Sequence, residues 1–155
     1  CEGRLSVIEM DTSSDQSVSK AASEIADKHP SLYGIINNAG IAWEHPWKDT
    51  MNTNYFGPRR VNDALSKLLE RPGARIVNVA SASGPNWLAN VGDANLKSKL
   101  ARPWLIQGGI PELDEMARTV TLTSDTYGIS KAFLNAYTML HARAESDLII
   151  NSGTP

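Results

Sequence analysis

The chain has 155 residues, of which 41% are hydrophobic and 21% are charged, and its formal net charge at pH 7 is -2. This length corresponds to about one domain, and the balanced charge excludes a strongly basic nucleic-acid-binding protein. No apolar run reaches the roughly 18 residues that span a membrane. Because the single cysteine, Cys1, cannot form an intrachain disulfide, we expect a reducing, cytoplasmic environment.

The beginning of the chain predicts a strand followed by a helix. Residues 4–10 predict a short strand that ends at Asp11. The Asp/Thr/Ser cluster at residues 11–15 supplies N-cap chemistry, and apolar residues then recur at helical spacing up to Lys28. We interpret His29 as a solvated residue at the helix end rather than as a ligand.

A buried strand and a turn of small residues follow. Residues 32–36 form a compact apolar run that is typical of a buried parallel strand. The run leads into Asn37, Asn38, Ala39 and Gly40, at the carboxyl end of the strand, where open α/β sheets bind ligands. Glycine allows close backbone approach, and asparagine side chains can tie neighbouring strands together. An Asn/Gly turn that binds no ligand is an equally open interpretation.

Residues 41–50 are interpreted as a loop that contains Trp43, His45 and Trp47. The two tryptophans either cover the core or form a pocket wall. Because no second or third ligand stands at metal spacing from His45, we predict no metal site.

A helical pattern over residues 51–70 contains Pro58. Proline has no N–H, so the carbonyl of Asn54 loses its usual helical partner. A carbonyl freed in this way beside an amide side chain could hold a water. The alternative is a helix that begins only after Pro58, and the sequence leaves both interpretations open.

Residues 74–80 predict a second buried strand that ends in small residues, Ser81 among them. A hydroxyl at that position can hydrogen-bond a substrate oxygen. Residues 85–123 then interrupt the alternation of strands and helices as an insertion. Two short helices are predicted within it, at residues 93–101 and 111–118.

Tyr127 and Lys131 stand four residues apart at the start of an amphipathic run that reaches about His141. On a helix both side chains lie on one face, within reach of a common ligand. The ammonium favours the phenolate, so the pair is a candidate general acid/base. Such a pair arises by chance in roughly one chain in five of this composition. A last strand at residues 147–151 completes the order β-α-β-α-β-insertion-α-β, with right-handed crossovers.

Four motifs occur in the order and setting that the short-chain dehydrogenases/reductases show, and the chain resembles that family over essentially its whole length. They are Asn37-Asn38-Ala39-Gly40, Asn54 in Asn-Tyr-Phe-Gly, Ser81 three residues before Gly84, and Tyr127-x-x-x-Lys131. The long stretch between Ser81 and Tyr127 makes the chain most similar to the monomeric carbonyl reductases, which carry a helical insertion there.

The resemblance implies an α/β fold, a Rossmann-like doubly wound parallel sheet with the helical insertion before the catalytic-Tyr helix. The sheet would be incomplete here, because we expect residues 1–155 to be the central part of a single domain. The expected fragment lacks the phosphate-binding loop and the substrate loop and is therefore inactive alone. Its unpaired sheet edge and apolar face predict poor solubility or partial order in isolation.

The resemblance also implies a role for each matched residue. Tyr127 would protonate the carbonyl oxygen as the nicotinamide delivers hydride. Lys131 would favour the phenolate and bind the nicotinamide ribose, Ser81 would orient the carbonyl, and Asn54 would hold a water. The implied cofactor-binding residues are Asp11, near the adenine ring, Asn37, Ala39, Gly40, Tyr127 and Lys131.

NADP(H) is the expected cofactor, and NAD(H) stays open. The expected activity is reduction of aldehydes, ketones or quinones. The alternatives are an alcohol or steroid dehydrogenase of the same family, or a dinucleotide-binding sensor or scaffold without catalysis. The implied partner is a small-molecule carbonyl or alcohol substrate, with neither nucleic acid nor a membrane.

Large apolar residues in the insertion predict its packing and the assembly of the protein. Burying each of them stabilises the fold by roughly 1.5–3 kcal/mol, and the outer face of the Tyr127 helix offers the nearest apolar surface. Common family members form tetramers through that helix, so we expect a monomer when full length. The alternative is a surface excursion that leaves the helix free.

Overall fold

The computed structural model describes residues 5–42, 44–120 and 125–154. In this described part of the chain one parallel sheet forms, in the order β1-β2-β3. Its strands are β1 (Gly34–Asn37), β2 (Arg75–Val79) and β3 (Ile149–Gly153). In the register, Ile35 pairs with Ile76 and Ile76 pairs with Ile150. The predicted α/β class with a parallel, Rossmann-like sheet is confirmed.

Helices connect the strands and cover the sheet. They are α1 (Asp15–Lys28), α2 (Trp47–Met51), a π-helical turn (Asn52–Phe56), α3 (Gly57–Leu65), α4 (Ser83–Asn90), α5 (Ala94–Ala101), α6 (Gly109–Thr119) and α7 (Thr126–Ala144). Short 3-10 turns follow α3 at Ser66–Leu68 and α5 at Pro103–Leu105.

The predicted strand at residues 4–10 is wrong over its described part, because residues 5–10 form no strand. A strand is stable only when its N–H and C=O groups pair with a neighbour, and no described segment pairs with these residues in the sheet. Helix α1 is confirmed from Asp15 to Lys28, with Ser14 as its N-cap. His29 is exposed at the helix end, as expected.

The helical run around Pro58 is continuous. Helix α2 begins at Trp47, so the loop ends at Pro46 rather than at residue 50, and Trp47 packs against the core. The π-helical turn Asn52–Phe56 directly precedes α3, which has Pro58 in its first turn. The alternative of a helix that begins after Pro58 is therefore wrong. A π turn shifts the hydrogen-bond pattern by one residue, which accommodates a proline that cannot donate to Asn54.

The insertion contains more helix than the sequence predicts. Helices α5 and α6 confirm the two predicted ones, whereas α4 was not predicted. Its Gly84-Pro85 pair is typical of a turn, yet proline is tolerated in the first turn of a helix, where its missing N–H has no partner to lose. The end of the predicted insertion, residues 121–123, and Trp43 lie outside the described residues.

The insertion packs on α7, as predicted. Leu100 and Leu113 are 1% and 0% exposed and belong to the same core cluster as Phe133 and Leu140 of α7. Trp104, which was expected to pack there as well, remains 55% exposed. The surface-excursion alternative therefore does not describe α5 and α6, and in the 3-10 turn between them Pro103 is buried as well.

Helices α4 and α7 cross closely because each carries a glycine at the crossing. A Cβ on Gly84 would lie 2.9 Å from the backbone carbon of Lys131, and one on Gly128 would lie 2.8 Å from the Trp87 Cβ. This close approach holds the first turn of α4 against the Lys131 turn of α7.

We expect Gly84→Ala to lower the free energy of unfolding by about 1–3 kcal/mol, because the added methyl meets rigid backbone rather than a flexible side chain. Gly92→Ala is the matched control, since a Cβ there meets nothing within 4 Å. The measurement is the thermal midpoint of each variant of the whole protein. Equal midpoints for the two variants would show that the α4–α7 crossing tolerates a wider separation.

Candidate active site

Helix α7 presents Tyr127 and Lys131 as the sequence predicts. The Asp125 side chain accepts a hydrogen bond from the Gly128 N–H at 2.8 Å and so caps the helix start. The Lys131 Nζ lies 5.5 Å from the centroid of the Tyr127 ring. The phenol and the ammonium therefore share one face of the first turns of the helix.

Lys131 is a buried cation, only 4% exposed. Its Nζ donates to the Val79 carbonyl at 2.8 Å, at the carboxyl end of β2. Burial lowers the pKa of this ammonium. An ammonium has three N–H donors, so the group retains donors for an acceptor in addition to Val79. An anionic or hydroxyl-bearing ligand beside Tyr127 would offset the cost of burying the charge.

Asn54 ties the loop after β1 to α7. Its Oδ1 accepts from the Ile41 N–H at 2.8 Å, and its Nδ2 donates to the Ile41 carbonyl at 2.8 Å and to the Ser130 Oγ at 3.0 Å. A Cβ on Gly40 would lie 3.2 Å from the Asn54 Oδ1 and 3.7 Å from the Lys131 Nζ. The structure thus brings Gly40, Asn54 and Lys131 together.

Ser81 lies between the end of β2 and the start of α4. Its Oγ accepts a hydrogen bond from the Ser83 N–H at 3.2 Å. Val79, whose carbonyl binds Lys131, stands two residues earlier. Ser81 therefore lies at the same carboxyl edge of the sheet as the Lys131 ammonium, and it also lines a cavity of about 260 Å³.

Asn37 is directed into the protein rather than toward the loop. Its Nδ2 donates to the Asn62 Oδ1 at 2.9 Å and to the Asn78 Oδ1 at 2.8 Å, and the residue is 8% exposed. This confirms that an asparagine of the turn ties neighbouring strands together. The two N–H groups of its amide are therefore used within the protein.

Asp11 lies apart from this cluster, at the start of α1. Its carboxylate accepts from the Ser13 N–H at 2.9 Å and from the Ser13 Oγ at 2.7 Å, and these hydrogen bonds lower the pKa of Asp11. Neighbouring Thr12 lines a groove of about 370 Å³ that also touches Asn37 and Ala39. The groove joins the predicted adenine end of the site to the turn after β1.

A family model described as short chain dehydrogenase matches residues 1–92. The chain belongs to the short-chain dehydrogenase/reductase family. Rat carbonyl reductase 3, whose name specifies NADPH, is 26% identical over 152 aligned positions, and the match covers 87% of this chain and 54% of the rat protein. Mouse estradiol 17-beta-dehydrogenase 2 is 31% identical over 96 aligned positions, and the match covers 54% of this chain and 25% of that protein. Human retinol dehydrogenase 5 is 35% identical over 92 aligned positions, and the match covers 52% of this chain and 29% of that protein.

Solved structures share the fold. Salutaridine reductase from Papaver somniferum has a TM-score of 0.71 at 22% identity, covering 94% of this chain and 66% of that chain. NADPH-bound carbonyl reductase from chicken fatty liver has a TM-score of 0.65 at 18% identity, covering 97% and 56%. The chain spans between about a quarter and about half of the length of the three curated relatives described above.

Short-chain dehydrogenases/reductases bind NAD or NADP, and the residues present fit such a cofactor. Gly40 leaves room that a side chain would fill, and Lys131 is a buried donor beside it. Among the described residues no group of three His, Cys, Asp or Glu side chains could hold a metal ion. Within the same residues no helix is long and apolar enough to cross a membrane.

Several buried polar residues of this family member were not predicted. Asn62 donates from Nδ2 to the Tyr137 hydroxyl at 3.0 Å, and Asn78 donates from Nδ2 to the Thr138 Oγ1 at 2.8 Å. Together with Asn37 they join β1, β2, α3 and α7. The signal that could have found Asn62 is its spacing of eight from Asn54, which places both on one helix face.

His141 at the surface end of α7 continues this network. Its Nδ1 lies 2.9 Å from the Tyr137 hydroxyl, which already accepts from Asn62. A neutral His141 can accept a hydrogen bond from the Tyr137 hydroxyl, whereas a protonated His141 would direct a second donor at the same oxygen. Burial lowers the pKa of His141 below its ordinary value of 6.5. The Glu145 carboxylate raises this pKa in part, and the Arg59 guanidinium lowers it further.

We expect the protein to lose stability as the pH falls below about 6.5, the ordinary His value. The folded-state pKa is lower than the unfolded one, so the unfolded chain binds more protons in this range. The contribution of His141 is therefore complete above the unfolded pKa and lost on acidification. Thermal midpoints across this range, compared between the unchanged protein and His141→Gln, measure it. An equally steep decline in both would assign the effect to other groups.

Proposed function

We propose that the protein is an NADP(H)-dependent oxidoreductase that reduces the carbonyl groups of aldehydes, ketones or quinones. Residues 1–155 would form part of a single dinucleotide-binding domain, with the insertion at about 85–123 within it. The observation that carries the proposal is the Tyr127 ring beside the buried Lys131 ammonium, at the carboxyl edge of the sheet where Ser81 also lies. A phenol held beside a desolvated cation suits proton transfer to a carbonyl oxygen.

The bound nicotinamide would supply the hydride that reaches the carbonyl carbon. Tyr127 would donate its hydroxyl proton to the carbonyl oxygen, and the resulting phenolate would be stabilised by Lys131. Ser81 would donate a hydrogen bond to the same oxygen and so hold the carbonyl in line with Tyr127. The roles follow from the chemistry of each group, since Tyr127 combines an acidic proton with the adjacent, buried Lys131 ammonium.

Asn54 would link Lys131 to solvent through a bound water. Its side chain is fully engaged with Ile41 and Ser130, which leaves the backbone carbonyl as the group that could hold a water. Pro58 cannot donate to that carbonyl. A water there would link Lys131 to solvent and allow the proton spent by Tyr127 to be replaced.

The relatives favour two cofactor and substrate assignments. The names of rat carbonyl reductase 3 and of the chicken liver structure specify NADPH and carbonyl reduction. The estradiol and retinol dehydrogenases favour an alcohol dehydrogenase running in the oxidative direction, which is the second candidate function. We place reduction first because the rat reductase matches 87% of this chain, against 54% for the mouse dehydrogenase.

The packing of the insertion supports a monomeric whole protein. Leu100 and Leu113 cover the face of α7 that a partner subunit would otherwise occupy. A small-molecule substrate is the proposed partner, and the cytoplasm is the proposed location.

The deciding experiment offers the whole protein an aldehyde, a ketone and a quinone with NADPH or NADH, and a steroid and a retinoid alcohol with the oxidised cofactors. We expect carbonyl reduction to be fastest with NADPH. In light scattering, we expect the protein to have the mass of one chain. Faster alcohol oxidation would favour the second candidate. Cofactor binding without turnover of any substrate would support a sensor or scaffold and refute the proposal.

A further inference from the structure

A carboxylate of the insertion reaches across to the helical run that carries Asn54. The Asp114 Oδ1, on α6, accepts from the Tyr55 hydroxyl at 2.7 Å and from the Arg59 Nε at 3.2 Å. The Asp114 Oδ2 accepts from the Arg59 Nη2 at 3.1 Å. The Asp114 carboxylate therefore binds Tyr55, inside the π-helical turn, and Arg59, just after the turn on α3.

This cluster is largely removed from water. Tyr55 is 0% exposed, and the side chains of Arg59 and Asp114 are 19% and 13% exposed. The Arg59 guanidinium also lies 5.0 Å from the centroid of the Tyr137 ring. Burial, and then the Asp114 carboxylate, raise the pKa of Tyr55, so its hydroxyl remains a donor. Charge-assisted hydrogen bonds with this degree of burial are among the stronger polar contacts in proteins.

The π-helical turn is held from two directions. Tyr55 points to the insertion and is bound by Asp114, whereas its neighbour Asn54 is bound to Ile41 and Ser130. Ile41 follows Gly40, and Ser130 precedes Lys131. A change at the Asp114 end would therefore move the turn that places Asn54 beside the loop and the lysine.

We propose that Asp114 is a positioning residue: it holds the Asn52–Phe56 turn through Tyr55 and Arg59, so that the insertion sets the position of Asn54. The inference rests on the proposed function for its catalytic consequence, but the coupling of Asp114 to the turn is a property of the fold alone. Asp114 is not proposed to contact the substrate or the cofactor. It acts through the turn.

The chain offers a matched control. Arg59 also pairs with Asp63, at 3.3 Å, and the Asp63 side chain is 64% exposed. Asp63→Asn removes a carboxylate from the same guanidinium without touching Tyr55. Asp114→Asn and Tyr55→Phe keep the side-chain volume and remove, respectively, the charge and the donated proton. The three variants separate loss of the Arg59 ion pair from release of the turn.

The first measurement is steady-state kinetics of carbonyl reduction by the whole protein. We expect Asp114→Asn and Tyr55→Phe each to lower kcat by roughly tenfold, less than the roughly 10²-fold that a misplacement of about 1 Å can cost, while KM changes less than about twofold. The double variant should lose no more than the larger single loss, because both substitutions break one contact. Asp63→Asn should match the unchanged protein.

The second measurement is amide hydrogen exchange, which needs no activity. Asp114→Asn should speed amide exchange in residues 52–56 and at Ile41 and leave exchange in α1 unchanged. Asp63→Asn should change none of these exchange rates. If the protein reduces no carbonyl, the proposed function fails and this exchange result alone decides the coupling. A lower thermal midpoint for Asp114→Asn, with kcat and exchange in the turn unchanged, would overturn the inference and leave Asp114 a contact that only stabilises the fold.

Discussion

Replacing Tyr127 by Phe is expected to lower kcat for carbonyl reduction by about 10²–10⁴-fold, the range that general acid catalysis contributes. The substitution removes one hydroxyl and keeps the ring, whose centroid lies 5.5 Å from the Lys131 Nζ. Cofactor affinity should therefore stay close to that of the unchanged protein. Steady-state kinetics and a fluorescence titration of the reduced nicotinamide measure the two quantities separately.

The control for this substitution is Tyr33→Phe. Tyr33 is 66% exposed and stacks with Arg75, away from α7, so the loss of its hydroxyl should leave kcat unchanged. A Tyr127→Phe variant that turns over at the rate of the unchanged protein would show that another group delivers the proton. A variant that loses turnover and cofactor binding together would place Tyr127 mainly in the cofactor site.

Replacing Lys131 by Ala is expected to damage both the chemistry and the binding of the cofactor. The ammonium is 4% exposed and donates to the Val79 carbonyl at 2.8 Å, so its removal takes away the one cation beside the Tyr127 ring in the described structure. Loss of a preorganised electrostatic group lowers kcat by roughly 10²–10³-fold. The dissociation constant of the cofactor should rise as well, because Lys131 is the proposed ribose ligand.

Two further variants separate charge from packing in this prediction. Lys131→Met keeps most of the side-chain volume, so it should recover the stability that the Ala variant loses. Its kcat should stay as low as that of the Ala variant, because the charge is still absent. Lys97→Met is the matched control, since Lys97 also donates to a backbone carbonyl, that of Ala89 at 2.6 Å, but in a hydrogen bond that is exposed to solvent. If Lys131→Met were fully active, the positive charge would have no role in the reaction.

Local sequence patterns were sufficient to predict some of the helices and strands. Helix α1 was predicted from apolar residues at helical spacing, and the strand β2 from a short apolar run, because both patterns lie in residues that are neighbours along the chain. The four motifs also placed the chain in its family. Three of them occupy a strand end or a helix start, and Asn54 lies in the π-helical turn. For Tyr127 and Lys131 the sequence spacing was sufficient, because a single helix positions both.

Other elements required the tertiary structure. Residues 5–10 have the composition of a strand but form none, because strand pairing depends on a neighbour that local pattern does not reveal. Helix α4 was hidden by its Gly-Pro start, and the course of the helix at Pro58 was decided by a π turn. In each case the backbone follows hydrogen bonds that hydrophobic periodicity does not encode.

The polar contacts across the site were also decided by packing. Asp114 meets Tyr55 over a separation of 59 residues, and Asn62 meets Tyr137 over 75. An aspartate on an amphipathic helix is ordinarily assigned to solvent, and nothing in its neighbours along the chain predicts otherwise. The carboxylate is removed from water only when α6 packs on α7. It is then paired with donors on two residues, Tyr55 and Arg59, since a buried charge without partners would be too costly.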